Sequence, residues 1–162
     1  WEENLGLGSE ANRGNPFHAG DAGLIASFSD GTVTNADWKA QVFYIAPVDD
    51  PANLVLQKDG TRDTSAADQS TGSATSYGLH WKVPANWLSA VFDDSTWPNA
   101  TTFANEVVGV DNKPSYTNFD DQFAGSGASF IWSSNLVLDN EVIVRYTTEA
   151  KVKSSGGVHR DE

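Results

Sequence analysis

The sequence predicts an all-β fold, an antiparallel β-sandwich of jelly-roll type with about seven or eight strands. Three observations carry that expectation. Aromatic residues are abundant, with six Trp, eight Phe and four Tyr among 162 residues, and Val and Thr are frequent; these types suit a pleated, half-buried surface. The 14 Gly and 6 Pro are spread along the chain as turn punctuation. Long helical periodicity is missing, whereas short apolar runs alternate with polar residues at a period of two.

Each element follows from local chemistry. Leu24 to Phe28 reads as a strand between the turns Gly20-Asp21-Ala22-Gly23 and Ser29-Asp30-Gly31-Thr32. A second strand is expected from Trp38 to Ala46, polar on one side early, buried on both sides later, and ended by Pro47. From Asp63 to Ser76 no large apolar residue occurs, so a long surface loop with no part in the core is expected. Tyr77 to Val83 is the next strand, closed by Pro84, and Pro84 to Leu88 reads as a helix start or short turn with Trp87 facing inward. Strands at Thr101 to Val110 and Ser129 to Trp132 follow. The clearest strand is Asn140 to Thr147, where Val142, Val144 and Tyr146 share one face, expected in the core, and Ile143 and Arg145 share the other, toward solvent. One domain over 1–150 and a polar, linker-like tail over 151–162 are expected. The partial match between the runs starting at Trp38 and Trp87 covers too few positions to be a repeat.

Composition also bounds function. The net charge of −12 is opposite in sign to the footprint that a nucleic-acid-binding protein requires, and it disfavours anionic membrane surfaces. No apolar run reaches the roughly 20 residues of a membrane helix, so no membrane insertion is expected. Cysteine is absent, which removes disulfides, thiolate metal sites and cysteine nucleophiles together. The chain opens on Trp1 and contains no Met, from which a segment of a larger secreted or surface protein is expected, with an extracellular or periplasmic location.

Phe92-Asp93-Asp94-Ser95-Thr96-Trp97 is the most distinctive stretch. The two rings are spaced to turn inward at the ends of a tight turn whose Asp and Ser side chains accept backbone N–H bonds. This motif, followed by Phe130-Ile131-Trp132 and Asn140 to Arg145, resembles galactose-binding-like β-sandwich modules over about the last half of the chain. The resemblance implies a noncatalytic glycan-binding or accessory role. It transfers no binding residue, because such modules bind through variable loops outside this motif.

The residues themselves offer several chemistries. No Gly-x-Ser-x-Gly elbow accompanies His18, His80 or His159, and adjacent carboxylates such as Asp49-Asp50, Asp93-Asp94 and Asp120-Asp121 do not make an acid and base pair, so no enzyme is expected. Sugar recognition calls for aromatic faces next to loops, which nominates Tyr77, Trp81 and Tyr116 as ligand-binding residues for a glycan or other surface molecule. Calcium takes oxygen donors from irregular loops, and Asp111, Asp120 and Asp121 bracket Pro114 as its candidate ligands; no other cofactor is expected. Copper through His18 and His80 is the weaker metal reading, since two distant histidines do not form a ligand set. Asn99-Ala100-Thr101 is the single glycosylation sequon, expected at the surface. Two alternatives to glycan binding stand: a structural or assembly subunit of a surface or filamentous structure that self-associates, or attaches to a larger chain, by strand pairing, and a secreted protein that binds calcium or copper.

Overall fold

The computed structural model describes residues 22–67, 77–108 and 118–148, the side chains of 118–120 excepted. It is all-β in character: seven strands in small antiparallel sheets and two short helices among the described residues. The strands are β1 (Lys39–Val48), β2 (Val55–Leu56), β3 (Arg62–Asp63), β4 (Tyr77–His80), β5 (Thr101–Phe103), β6 (Phe130–Trp132) and β7 (Asp139–Arg145). The helices are α1 (Asn105–Val108) and α2 (Asn118–Phe123). Three strands form a sheet in the order β4-β1-β7, and β2-β3 and β5-β6 form separate pairs.

β1 is the spine of the molecule. It is antiparallel to β7 from Lys39↔Arg145 to Ile45↔Asp139 and to β4 from Tyr44↔His80 to Val48↔Tyr77. Ahead of the β4 contact, its free side is taken by the segment leading into β5, through Ala40 N–H to Pro98 O at 3.0 Å and Ala100 N–H to Trp38 O at 2.7 Å. The strand does not stop at Pro47, as the sequence suggested, but runs through a cis Ala46–Pro47 bond to Val48. Pro47 falls between the paired Ile45 and Val48, where the ladder to β4 shifts register, so the missing N–H is not required there.

Both faces of this sheet are covered. On one, Trp38, Ala40, Val142 and Val144 pack with Ala100, Ile131 and Leu24, and Val42, Ile45 and Val48 pack with Leu138. On the other, Phe43 and Ile143 pack beneath Trp97, Trp81, Val83, Trp87 and Phe92. The solvent face expected for β7 is therefore not solvent: Ile143 is buried and Arg145 is half-buried under residues 81–97. A fourth cluster joins Phe130, Trp132 and Leu136 to Val108 and Ala22.

Other elements also differ from expectation. Leu24 to Phe28 is not a full strand. Leu24 bridges Ile131 and Ser27 bridges Val33, and between them the Thr34 hydroxyl accepts from Ala26 N–H at 3.0 Å, a side chain standing where a ladder would continue. Residues 63–67 are not a loop outside the core: Asp63 belongs to β3, Thr64 is fully buried and Ala67 packs against the Val42 cluster. Residues 68–76 lie outside the described region. β4 ends at His80, although Trp81 N–H adds one bond to Phe43 O at 2.9 Å. After Phe103 the chain turns into α1 and does not continue as a strand; 109–110 lie outside the described region, as does the tail 151–162. Asn99 is exposed, as its sequon suggested, and its Oδ1 accepts from Lys39 Nζ at 2.7 Å.

The β2–β3 hairpin is locked onto the Phe92–Trp97 turn through Gly60. Its φ is +89°, and a Cβ built there would lie 2.4 Å from the backbone oxygen of Thr96. Gly60→Ala is expected to lose about 2 kcal/mol or more, because both the left-handed backbone and the close approach exclude a side chain. A urea denaturation midpoint checks this.

Candidate functional site: an aromatic cleft beside the end of β7

The sequence leaves β7 through Arg145-Tyr146-Thr147-Thr148, and the period of two sets the orientation of each side chain. Arg145 falls on the Ile143 face and reaches under the 84–92 segment. There its Nε donates to Asp94 Oδ2 at 2.8 Å, its Nη1 donates to Trp87 O and its Nη2 donates to Ser89 O at 3.3 Å, while the guanidinium carbon lies 5.0 Å from the Phe92 ring centre. Three acceptors on one planar fork fix a stretch that belongs to no ladder. Residues 84–92 form successive turns, with Trp87 N–H bonded to Pro84 O and Phe92 N–H to Ser89 O, so the helix start offered as one reading of Pro84–Leu88 resolves as a turn.

Tyr146 falls on the opposite face, with Val144. Its ring stacks on Trp38 at 5.3 Å, and Trp38 stacks in turn on Phe28 at 6.2 Å, both at an interplanar angle of 20°. Trp38 is anchored by its indole N–H to Val33 O at 2.9 Å. The result is a stair of three near-parallel rings with Trp38 in the middle and both outer members exposed, Phe28 at 51% and Tyr146 at 43%. Between this stair and the 87–90 turn lies a cleft of about 480 Å³, lined by Trp38, Trp87, Leu88, Arg145, Tyr146 and the threonines at 147 and 148. Among the described residues Arg145 is its one charged lining residue, and that charge is matched by Asp94.

The residues singled out from sequence are placed differently. Tyr77 is exposed on the edge strand β4. Trp81 is half-buried between two core clusters, and the Arg62 guanidinium lies 4.1 Å from its ring centre, so that face already has an occupant. The same guanidinium lies 5.2 Å from the Phe43 ring centre and donates to Val42 O, and burial lowers its pKa to about 10. Tyr116 and Asp111 lie outside the described residues, as do His18 and His159. Asp120 belongs to α2 with its side chain undescribed, and Asp121 is exposed on the same helix. Among the described residues, no three His, Asp or Glu side chains come together to hold a metal ion. Nor is any helix among them long and apolar enough to cross a membrane.

Sequence reasoning missed the cleft for a definite reason. The period of two puts Tyr146 with the core face of β7, and the sequence turns Trp87 inward, where it does pack half-buried on the cluster of Phe43, Trp97 and Ile143; neither reading shows that β7 ends at Arg145, just before Tyr146. The available signal was the polar pair Thr147-Thr148 directly after a Tyr at a strand end. Comparison with protein-family models, with curated proteins and with solved structures finds no match to this chain.

Proposed function

We propose that this protein is a noncatalytic binding module that takes a neutral carbohydrate in the cleft between Tyr146 and Trp87. The observation that carries the reading is the pairing of the exposed Tyr146 ring and the half-buried Trp87 with hydroxyls in a cleft whose one cation, among the described residues, is paired with Asp94, within a chain of net charge −12. Pyranose C–H groups pack on such faces and their hydroxyls bond to threonine side chains, whereas an anionic ligand would have to displace Asp94 from Arg145. The stair beneath Tyr146 holds its ring in place before a ligand arrives, which lowers the ordering cost of binding.

The proposed fold is a galactose-binding-like sandwich, with β4-β1-β7 as one layer and β5-β6 in the other. Packing of Ala40 and Val144 toward Ala100 and Ile131 supports this. So does the Phe92–Trp97 turn, where the rings meet edge to face at 5.3 Å and Asp93 Oδ1 accepts from Ser95 N–H at 3.0 Å. A secreted or surface location goes with this reading.

A broad glycan array tests it. The wild-type protein is expected to bind a subset of neutral glycans, and Tyr146→Ala and Trp87→Ala to weaken that binding at least about tenfold, the cost of one stacked ring. Array-wide background binding by the wild type overturns the reading. Self-association is the second reading, favoured by Leu88 at 78% exposure on the cleft rim and the still more exposed Val91 nearby. Light scattering across a concentration series distinguishes a monomer from an assembling subunit.

A further inference from the structure

The first residue of β7, Asp139, is fully buried, as is Asn140 beside it. Asp139 Oδ2 accepts from Asn135 N–H at 3.2 Å, and the Asp139 main-chain oxygen accepts from the Trp132 indole N–H at 2.9 Å. Asp139 Oδ1 makes no hydrogen bond, and neither does the buried Oγ of Ser133. One long backbone bond is a poor substitute for the hydration of a carboxylate, and an ionised group so placed is disfavoured.

The charges that act on it come from β3: Arg62, which favours the ionised form, and Asp63, which opposes it. Arg62 does not close an ion pair with Asp139, because its guanidinium is held on Trp81 and Phe43 and donates to Val42 O. The turn around Asp139 is the junction of three segments. Asn135 Oδ1 accepts from Val137 N–H and Leu138 N–H, Asn135 Nδ2 donates to Thr64 Oγ1 at 3.0 Å, and Asn140 Nδ2 donates to Ala46 O at 2.8 Å.

We propose that Asp139 is a proton-operated latch: the fold is built around its neutral carboxylic acid, and loss of that proton loosens the 133–138 turn together with its ties to β1 and β3. Burial, with Asp63 adding to it, pushes the Asp139 carboxyl up to about 7, against the opposing pulls of the nearby Ser133 hydroxyl, the Asn135 N–H and Arg62. The sign follows from linkage. A carboxyl whose folded pKa lies above its unfolded value near 3.8 gives stability that is fully present below that value and is lost as pH rises through about 7.

The experiment compares melting temperatures of the wild type and Asp139→Asn from pH 5 to pH 8. The asparagine keeps the acceptor for Asn135 and cannot ionise, so the variant is expected to gain on the wild type as pH rises, by roughly 5 °C over that range. A constant difference between the two across the range overturns the proposal. Should the variant fail to fold, carbon-13 NMR titration of the wild-type aspartate carboxyls decides the matter. One carboxyl with a midpoint above about 6 sustains the latch, and midpoints all below about 5 end it.

Discussion

Trp97→Ala is expected to cost about 4 kcal/mol and to leave the protein largely unfolded or marginal at 37 °C. Trp97 is only 7% exposed, and its ring meets Phe43 at 5.5 Å and Phe92 at 5.3 Å, both edge to face. Removing an indole from a close-packed site loses the transfer energy of the ring and leaves a cavity, a combination that costs about 3–5 kcal/mol in protein cores. Two aromatic partners lose their geometry as well. The packing around this site comes from β1, β7 and the 81–92 segment, so little of it can collapse into the gap. Against a total stability of about 5–15 kcal/mol for a domain, that loss dominates. Urea denaturation followed by tryptophan fluorescence checks it, with Trp97→Phe expected to recover much of the loss.

Arg145→Ala is expected to cost about 3 kcal/mol and, where folded protein remains, to weaken ligand binding beyond that of any rim substitution. The guanidinium and the Asp94 carboxylate are 13% and 21% exposed, so this is a largely buried pair and not a surface ion pair of small worth. Deleting the fork leaves Asp94 without its cation and frees the carbonyls of Trp87 and Ser89. Asp94 retains some access to water, which keeps the loss at the low end for a broken buried pair. Arg145→Lys is expected to recover only part, since a single ammonium does not span three acceptors in a plane. Melting temperature and binding affinity measured on the same samples separate the two effects.

Much of the framework was legible in the sequence because it rests on alternation. β1 and β7 are long enough for a period of two to be read, and their apolar positions Ala40, Val42, Val142 and Val144 do pack inward, Ala40 and Val144 in one cluster and Val42 in a second, with Val142 against both. The Phe92–Trp97 turn was legible because its Asp and Ser side chains bond locally, within a few residues. What escaped detection depends on distant partners. Nothing near Thr64 says that it will be buried against Asn135, 71 residues away, and nothing near Leu24 says that Thr34 will supply its neighbour's hydrogen bond. The candidate site was the least legible part. Trp81 has the composition of a binding aromatic, yet Arg62 lies over it, while Tyr146 has the pattern of a core residue and stands open. Aromatic residues serve both roles, and only the identity of the neighbour across the fold decides between them.

The three bonds from Arg145 all end on main-chain or Asp94 oxygens, so the course of residues 87–90 is dictated from below and is indifferent to which side chains that stretch displays. Leu88 and Ala90 line the cleft and are exposed. A library randomised at those two positions would thus change the lining of the cleft while sparing the scaffold, much as a keyed panel can be exchanged without disturbing the frame that carries it.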